Sequence, residues 1–256
     1  VCENIIATNN PYGEKRSVKE TLGREPKKAE VGYFAGCTAT YRNKEISAAT
    51  ISILDKLKVD YTTLDEVCCG SVMVRIGWSH EDVAKLYQRN LDHIKSLGIK
   101  TLVLSCSGCY RMFKTEYPRF VEVPFEVLHI SEFLARQDLK LKPMNGVVAT
   151  YHDPCHLGRH VGVYDAPREV IKKIPGLEFR EMEFSGPTSH CCGGGGGVRS
   201  AFPEESGKIA RTRMEEADFA DLMITSCPFC VNNLILGKGE KEIRVVDLVE
   251  LVDELL

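Results

Sequence analysis

Thr101-Leu102-Val103-Leu104-Ser105-Cys106-Ser107-Gly108-Cys109 is the stretch whose reading decides the fold. Its first four residues read as a short buried strand, and the C-x-x-C that follows sits on the strand's end. The same construction returns as Leu222-Met223-Ile224-Thr225-Ser226-Cys227-Pro228-Phe229-Cys230. Each copy is preceded by adjacent cysteines and a glycine, Cys68-Cys69-Gly70 and Cys191-Cys192-Gly193, and before that by a single cysteine, Cys37 and Cys155. Cys37 precedes Cys155 by 118 positions, Cys68 precedes Cys191 by 123, and Cys106 and Cys109 precede Cys227 and Cys230 by 121. One unit therefore occurs twice, with small changes in loop length.

Between the cysteines, short apolar strands alternate with amphipathic helices. Val31–Ala35 leads to Cys37, then Ile46, Ala49, Ile53, Leu54 and Leu57 recur at helical spacing, and Tyr61–Leu64 leads to Cys68. Val83, Leu86, Tyr87, Leu91, Ile94 and Leu97 mark a second helix that stops at Gly98, and one helix is expected from Cys109 to Pro118. In the second half, strands are expected at Val147–Tyr151, Phe179–Phe184, Leu222–Thr225 and Ile243–Val246, with helices at Pro167–Ile174, Glu204–Ala220 and Leu248–Leu255. This pattern predicts an α/β protein of two pseudo-symmetric repeats, each a small, mostly parallel sheet with flanking helices. The divisions expected are 1–30 as an N-terminal extension and linker, 31–143 as the first cysteine-rich domain and 144–256 as the second. Functional groups in such sheets collect beyond the carboxyl ends of the strands, which is where these cysteines fall.

With 43% hydrophobic and 27% charged residues, the 256-residue chain has the composition of an ordinary globular protein. A formal net charge of -3 gives no basic excess for nucleic acid, and no apolar run approaches the roughly 20 residues that span a bilayer. No signal-peptide pattern opens the chain, which begins on Val1 and not Met, so a missing or processed N-terminus is expected. Eleven cysteines without an export signal point to a cytosolic metal or redox role over a disulfide scaffold. Thiolates are soft ligands that take zinc, copper(I) or iron–sulfur clusters. Five per unit exceed the four of a structural zinc site, and the tight C-x2-C-x2-C-x3-C run of ferredoxin-type cubanes is absent. The pattern indicates an iron–sulfur centre of unusual shape in each unit. The run His190-Cys191-Cys192 followed by Gly193 to Gly197 suggests backbone lying close against it, with N–H groups reaching sulfur.

These motifs, with Tyr151-His152-Asp153-Pro154-Cys155-His156, resemble the duplicated cysteine-rich CCG domains of heterodisulfide reductase catalytic subunits, over about residues 31 to 256. The start Gly32-Tyr33-Phe34-Ala35-Gly36-Cys37-Thr38 is more similar to the D type of these catalytic chains than to the B type. The resemblance implies a noncubane four-iron four-sulfur cluster on Cys37, Cys68, Cys69, Cys106 and Cys109, and another on Cys155, Cys191, Cys192, Cys227 and Cys230. It implies reduction of a mixed disulfide of two thiol coenzymes, of the coenzyme M–coenzyme B type of methanogenesis, with one cluster on either side of the substrate. It also implies a larger complex containing a ferredoxin-like iron–sulfur subunit and a flavin- or haem-containing electron donor. The expected location is cytoplasmic, with any membrane association through a partner subunit. Relatives serving lactate, glycolate or glycerol-phosphate oxidation have one incomplete motif, and both are complete here; electron transfer in such a dehydrogenase complex is the alternative. A zinc scaffold for protein interaction is a third reading from another class.

His152, His156, His160 and His190 crowd the second cysteine set. Histidine titrates near neutrality and can protonate a leaving thiolate, and His156 beside Cys155 is the first candidate for that role; hydrogen bonding or packing is the plainer role for the others. Arg159 and Arg199 are candidate clamps for an anionic substrate group. Trp78 reads as a core anchor, and Cys2 lies outside both repeats as an idle thiol or a remnant of a preceding ferredoxin module.

Overall fold

Strands Val31–Phe34 (β1), Tyr61–Thr63 (β2), Thr101–Leu104 (β3) and Glu126–His129 (β4) form one all-parallel sheet in the order β2-β1-β3-β4. Strands Val148–Tyr151 (β5), Glu178–Phe179 (β6), Leu222–Thr225 (β7) and Arg244–Asp247 (β8) form a second in the matching order β6-β5-β7-β8. A computed structural model provides these coordinates and describes all 256 residues, Val1–Leu256. The α/β class and the two parallel-sheet repeats expected from the spacing are both present.

The continuous apolar strands follow from burial on both faces. Leu102, Val103 and Leu104 of β3 and Met223 and Ile224 of β7 have no exposed surface. Against the first sheet, the helix His80–Ser96 turns Val83, Tyr87, Leu91 and Ile94 inward, and the Ser79 side chain caps it by accepting the Asp82 N–H. In the second unit the helix Leu248–Leu255 is started by a capping box between Asp247 and Glu250. In both sheets the chain leaves a central strand for one neighbour and then crosses to the other side. This puts a topological switch between β1 and β3, and another between β5 and β7.

Packing divides the chain into two compact units, Val1–Ile130 and Ser131–Leu256. The division falls ahead of the 143/144 boundary drawn from the repeat, because the intervening segment is tied to the second unit. Lys173 Nζ donates to the carbonyls of Leu134, Ala135 and Gln137, and the Lys142 N–H donates to the Leu255 carbonyl. The first thirty residues carry two helices, Cys2–Thr8 and Val18–Leu22, and dock on the first unit through Tyr41 Oη to the Arg16 carbonyl and Tyr12 Oη to Thr38 Oγ1.

Three local expectations change. The strand expected over Phe179–Phe184 is only Glu178–Phe179, because Glu181 is drawn off into a bidentate pair with Arg168, which also grips Asp153. The single helix expected up to Pro118 is a helical turn Ser107–Arg111, a π-helical turn Met112–Glu116 and a 3-10 turn Tyr117–Arg119. Glu116 is buried there among Arg75, Arg111 and Arg119. Trp78 is half-buried in a loop rather than set in the core. No helix is long and apolar enough to cross a membrane.

Candidate metal centre

The parallel sheets carry each C-x-x-C to the same edge as the other cysteines of its unit. In the first unit, Cys37 opens the short helix Cys37–Tyr41 beyond β1, Cys68 and Cys69 follow β2, and Cys106 and Cys109 follow β3. All five are buried. Their thiols touch in a chain: Cys37 to Cys68, Cys68 to Cys69, Cys69 to Cys109, and Cys109 to Cys106. The second unit repeats the chain as Cys155, Cys191, Cys192, Cys230 and Cys227, with Cys192 Sγ 3.4 Å from Cys230 Sγ. No cysteine is in a disulfide. Cys192, Cys227 and Cys230 are buried, whereas Cys155 and Cys191 are only half-buried.

Backbone detail explains the glycines. Gly36 has φ +80°, and a Cβ there would stand 3.0 Å from Cys109 Sγ. Gly193 N–H points at Cys191 Sγ at 3.3 Å and Gly194 N–H at Cys192 Sγ at 3.4 Å. The rest of the run behaves differently: Gly195 and Gly196 have open space where a Cβ would go, so the run does not lie against the thiols as a block.

The thiols share charge unevenly. Donation from Cys37 and Cys69 pulls the Cys68 thiol well below its ordinary range, and donation from Cys155 and Cys192 takes Cys191 down to about 2. Cys37 and Cys155 are pushed up by their bonds to those same sulfurs and by burial. Each set thus places the thiolate on the first cysteine of the adjacent pair, ready for a cation to displace the remaining protons.

Several supporting groups carry no motif and were not legible in the sequence. Glu66 accepts the Ala35 N–H at 3.0 Å and the Gly36 N–H at 2.5 Å, fixing the turn into Cys37, and burial pushes its carboxyl well up. Asn233 Nδ2 donates to the Cys192 carbonyl at 2.5 Å. Arg213, with no exposed surface, donates through Nε to His152 Nδ1 at 3.1 Å, through Nη1 to the Phe184 carbonyl at 2.8 Å and to Glu216, and through Nη2 to Ser189 Oγ at 3.2 Å. Burial, then the Arg213 charge, lowers His152 to about 3.

The sequence candidates separate. His156 is half-buried beside Cys155, with its ring 5.4 Å from that of His160, which is exposed. His190 is exposed, stacks on Phe184 and meets Glu216 at 2.6 Å through Nδ1. Arg159 is exposed and donates to the Ser189 carbonyl at 2.5 Å, while Arg199 is half-buried on the short helix Val198–Ala201. Cys2 is buried in its own helix, outside both thiol chains.

The family model for the cysteine-rich CCG domain matches residues 31–114 and again 149–235. The chain belongs to this family. This CCG chain is 41% identical over 268 residues to the D-type subunit of the dihydromethanophenazine:CoB–CoM heterodisulfide reductase of Methanosarcina mazei, covering 97% of the chain and 65% of that protein. It is 35% identical over 274 residues to an uncharacterized iron–sulfur protein of Methanocaldococcus jannaschii, covering 100% of the chain and 54% of that protein. The CCG chain therefore spans less than two thirds of the length of either relative. A crystal structure of a hypothetical protein from Helicobacter pylori shares the fold, with a TM-score of 0.65 at 14% identity over 93% of the chain and 53% of that structure.

Proposed function

We propose that this chain is an iron–sulfur oxidoreductase subunit that reduces a mixed disulfide of two thiol coenzymes, of the coenzyme M–coenzyme B type. The observation that carries the reading is the twice-repeated contact order of five thiols, complete in both units. Four thiolates satisfy a tetrahedral zinc, so a fifth in contact with them fits a multi-iron group better. Cys37, Cys68, Cys69, Cys106 and Cys109 would hold one noncubane four-iron four-sulfur cluster, and Cys155, Cys191, Cys192, Cys227 and Cys230 the other. When bound, each cluster supplies one of the two electrons that a disulfide needs.

Cleavage also takes two protons, and the chain's own residues serve that part. His156, half-buried beside Cys155, hands a proton to a departing thiolate. Arg199, half-buried and without an ion-pair partner, is placed to meet an anionic substrate group, whereas Arg159 is already engaged with Ser189. Electrons arrive from a ferredoxin-like iron–sulfur subunit and a flavin- or haem-containing donor, in a complex on the cytoplasmic side. The likeness to the D-type catalytic chain of a heterodisulfide reductase supports this assignment.

The deciding experiment has two arms. Iron and acid-labile sulfide should each be about eight per chain, and zinc without sulfide would end the reading. Adding heterodisulfide to the oxidised protein should then give a new paramagnetic state by EPR, and silence would make the chain a plain electron carrier.

A further inference from the structure

The two thiol sets are alike in contact order but differ in one neighbour. In strand register β5 Tyr151 pairs with Ile224 as β1 Tyr33 pairs with Val103, so His152 occupies the place that Phe34 holds in the first unit. Phe34 is buried edge-on against Phe113, with ring centroids 5.0 Å apart. His152 is equally buried, but its ring carries two polar nitrogens. The residue is pinned on both sides: its N–H donates to the Ile224 carbonyl at 2.8 Å, and its carbonyl accepts Thr225 Oγ1 at 3.1 Å.

The ring's tautomer follows from Arg213. A guanidinium only donates, so the 3.1 Å contact from its Nε makes His152 Nδ1 an acceptor and leaves the ring proton on Nε2. The guanidinium is not free to turn away, because Phe184, Glu216 and Ser189 hold its other nitrogens. His152 Nε2 is buried without a hydrogen-bond partner, and it lies with Cys192 Sγ and Cys230 Sγ in a group whose atoms are all within 4.8 Å of one another. A histidine that ligates metal does the reverse: it aims a lone pair at the metal and donates its other N–H to a carbonyl or carboxylate.

We infer that His152 is a positioning residue, a fixed N–H donor to the thiolates of the second centre, which raises the reduction potential of that centre alone. The inference rests on the iron–sulfur reading above. A donor aimed at sulfur stabilises the more negative, reduced state. The first unit has a phenylalanine in this place, so the two halves are tuned apart.

The test is a redox titration of the iron-loaded protein, following each centre by EPR, for wild type, His152→Phe and His152→Gln. His152→Phe should bind the electron about tenfold more weakly at the second centre, a fall of about 59 mV for a one-electron couple, with the first centre unmoved. His152→Gln keeps an N–H in the same place and should restore most of the shift. Unchanged potentials, or a glutamine variant as low as the phenylalanine one, would overturn the inference while leaving the iron–sulfur reading intact. Should His152→Phe fail to fold, the wild-type protein labelled with 15N-histidine gives an independent readout by pulsed EPR. A weak nitrogen coupling at one centre is expected; a strong, directly bonded one, or none at either, refutes the donor role. Iron missing from the second unit of the wild type would overturn the functional reading, and this inference with it.

Discussion

Gly70→Ala is expected to be among the most damaging small substitutions in this protein, and the structure gives its magnitude in two parts. Gly70 sits at φ +85°, where a side chain costs about 1–2 kcal/mol. The new Cβ would also lie 2.3 Å from Val83 Cγ1 on the helix His80–Ser96, an overlap that forces a shift costing about 1–3 kcal/mol. Together these reach about 2–5 kcal/mol, a large share of the 5–15 kcal/mol that holds a typical domain folded. Guanidinium unfolding of the iron-loaded protein under anaerobic conditions measures it, as a lower midpoint at unchanged slope. Val83→Ala removes the atom that is struck but leaves the backbone strain. The double variant should therefore recover the overlap part, a coupling of about 1–3 kcal/mol between the two sites. Strictly additive losses would refute the steric account.

The same logic divides the glycine run: Gly194→Ala would place a Cβ 2.9 Å from the Phe229 carbonyl oxygen and cost about 1–3 kcal/mol, while Gly195→Ala meets nothing and should stay within about 0.5 kcal/mol in the same unfolding assay. Cys192→Ser should lower iron from about eight to about four per chain, and Cys2→Ser should leave it unchanged, both by metal analysis. Glu66 holds its proton to higher pH folded than unfolded, so its contribution is present at low pH and is lost as the pH rises from the ordinary carboxylate value toward its raised one. Glu66→Gln should flatten that slope, its deficit against wild type narrowing by at most about 1.4 kcal/mol per pH unit in midpoints taken at pH 5, 6 and 7. His156→Gln should keep both clusters and lose at least tenfold in turnover; full turnover would remove it as proton donor.

What could be read from the chain alone was whatever repeats or alternates. The doubled spacing gave two units, and the apolar runs ending in cysteine gave parallel strands whose ends meet. The thiol sets needed nothing more, since a parallel sheet brings Cys37, Cys68 and Cys106 to one edge whatever the loops do. Residues that act alone across long separations left no such trace. Glu66 is one acid among many until its oxygens are seen on the Ala35 and Gly36 amides, and Arg213 looks like a surface residue of a charged helix until it is found fully buried. The glycine run misled in the opposite direction: five identical letters suggested one job, but only Gly193 and Gly194 approach sulfur. Likewise the strand expected to reach Phe184 gave way to the pull of Arg168 on Glu181, a side-chain contact that outweighed strand propensity.

The half-buried positions of Cys155 and Cys191, against the fully covered first set, have a practical meaning for anyone handling the protein. Oxygen, peroxide and chelators attack sulfur where they can reach it. A sample exposed to air therefore ages from one side, shedding the iron of its second half while the first still holds. Such a preparation is a blend of whole and half-charged molecules, and its colour outlasts its competence.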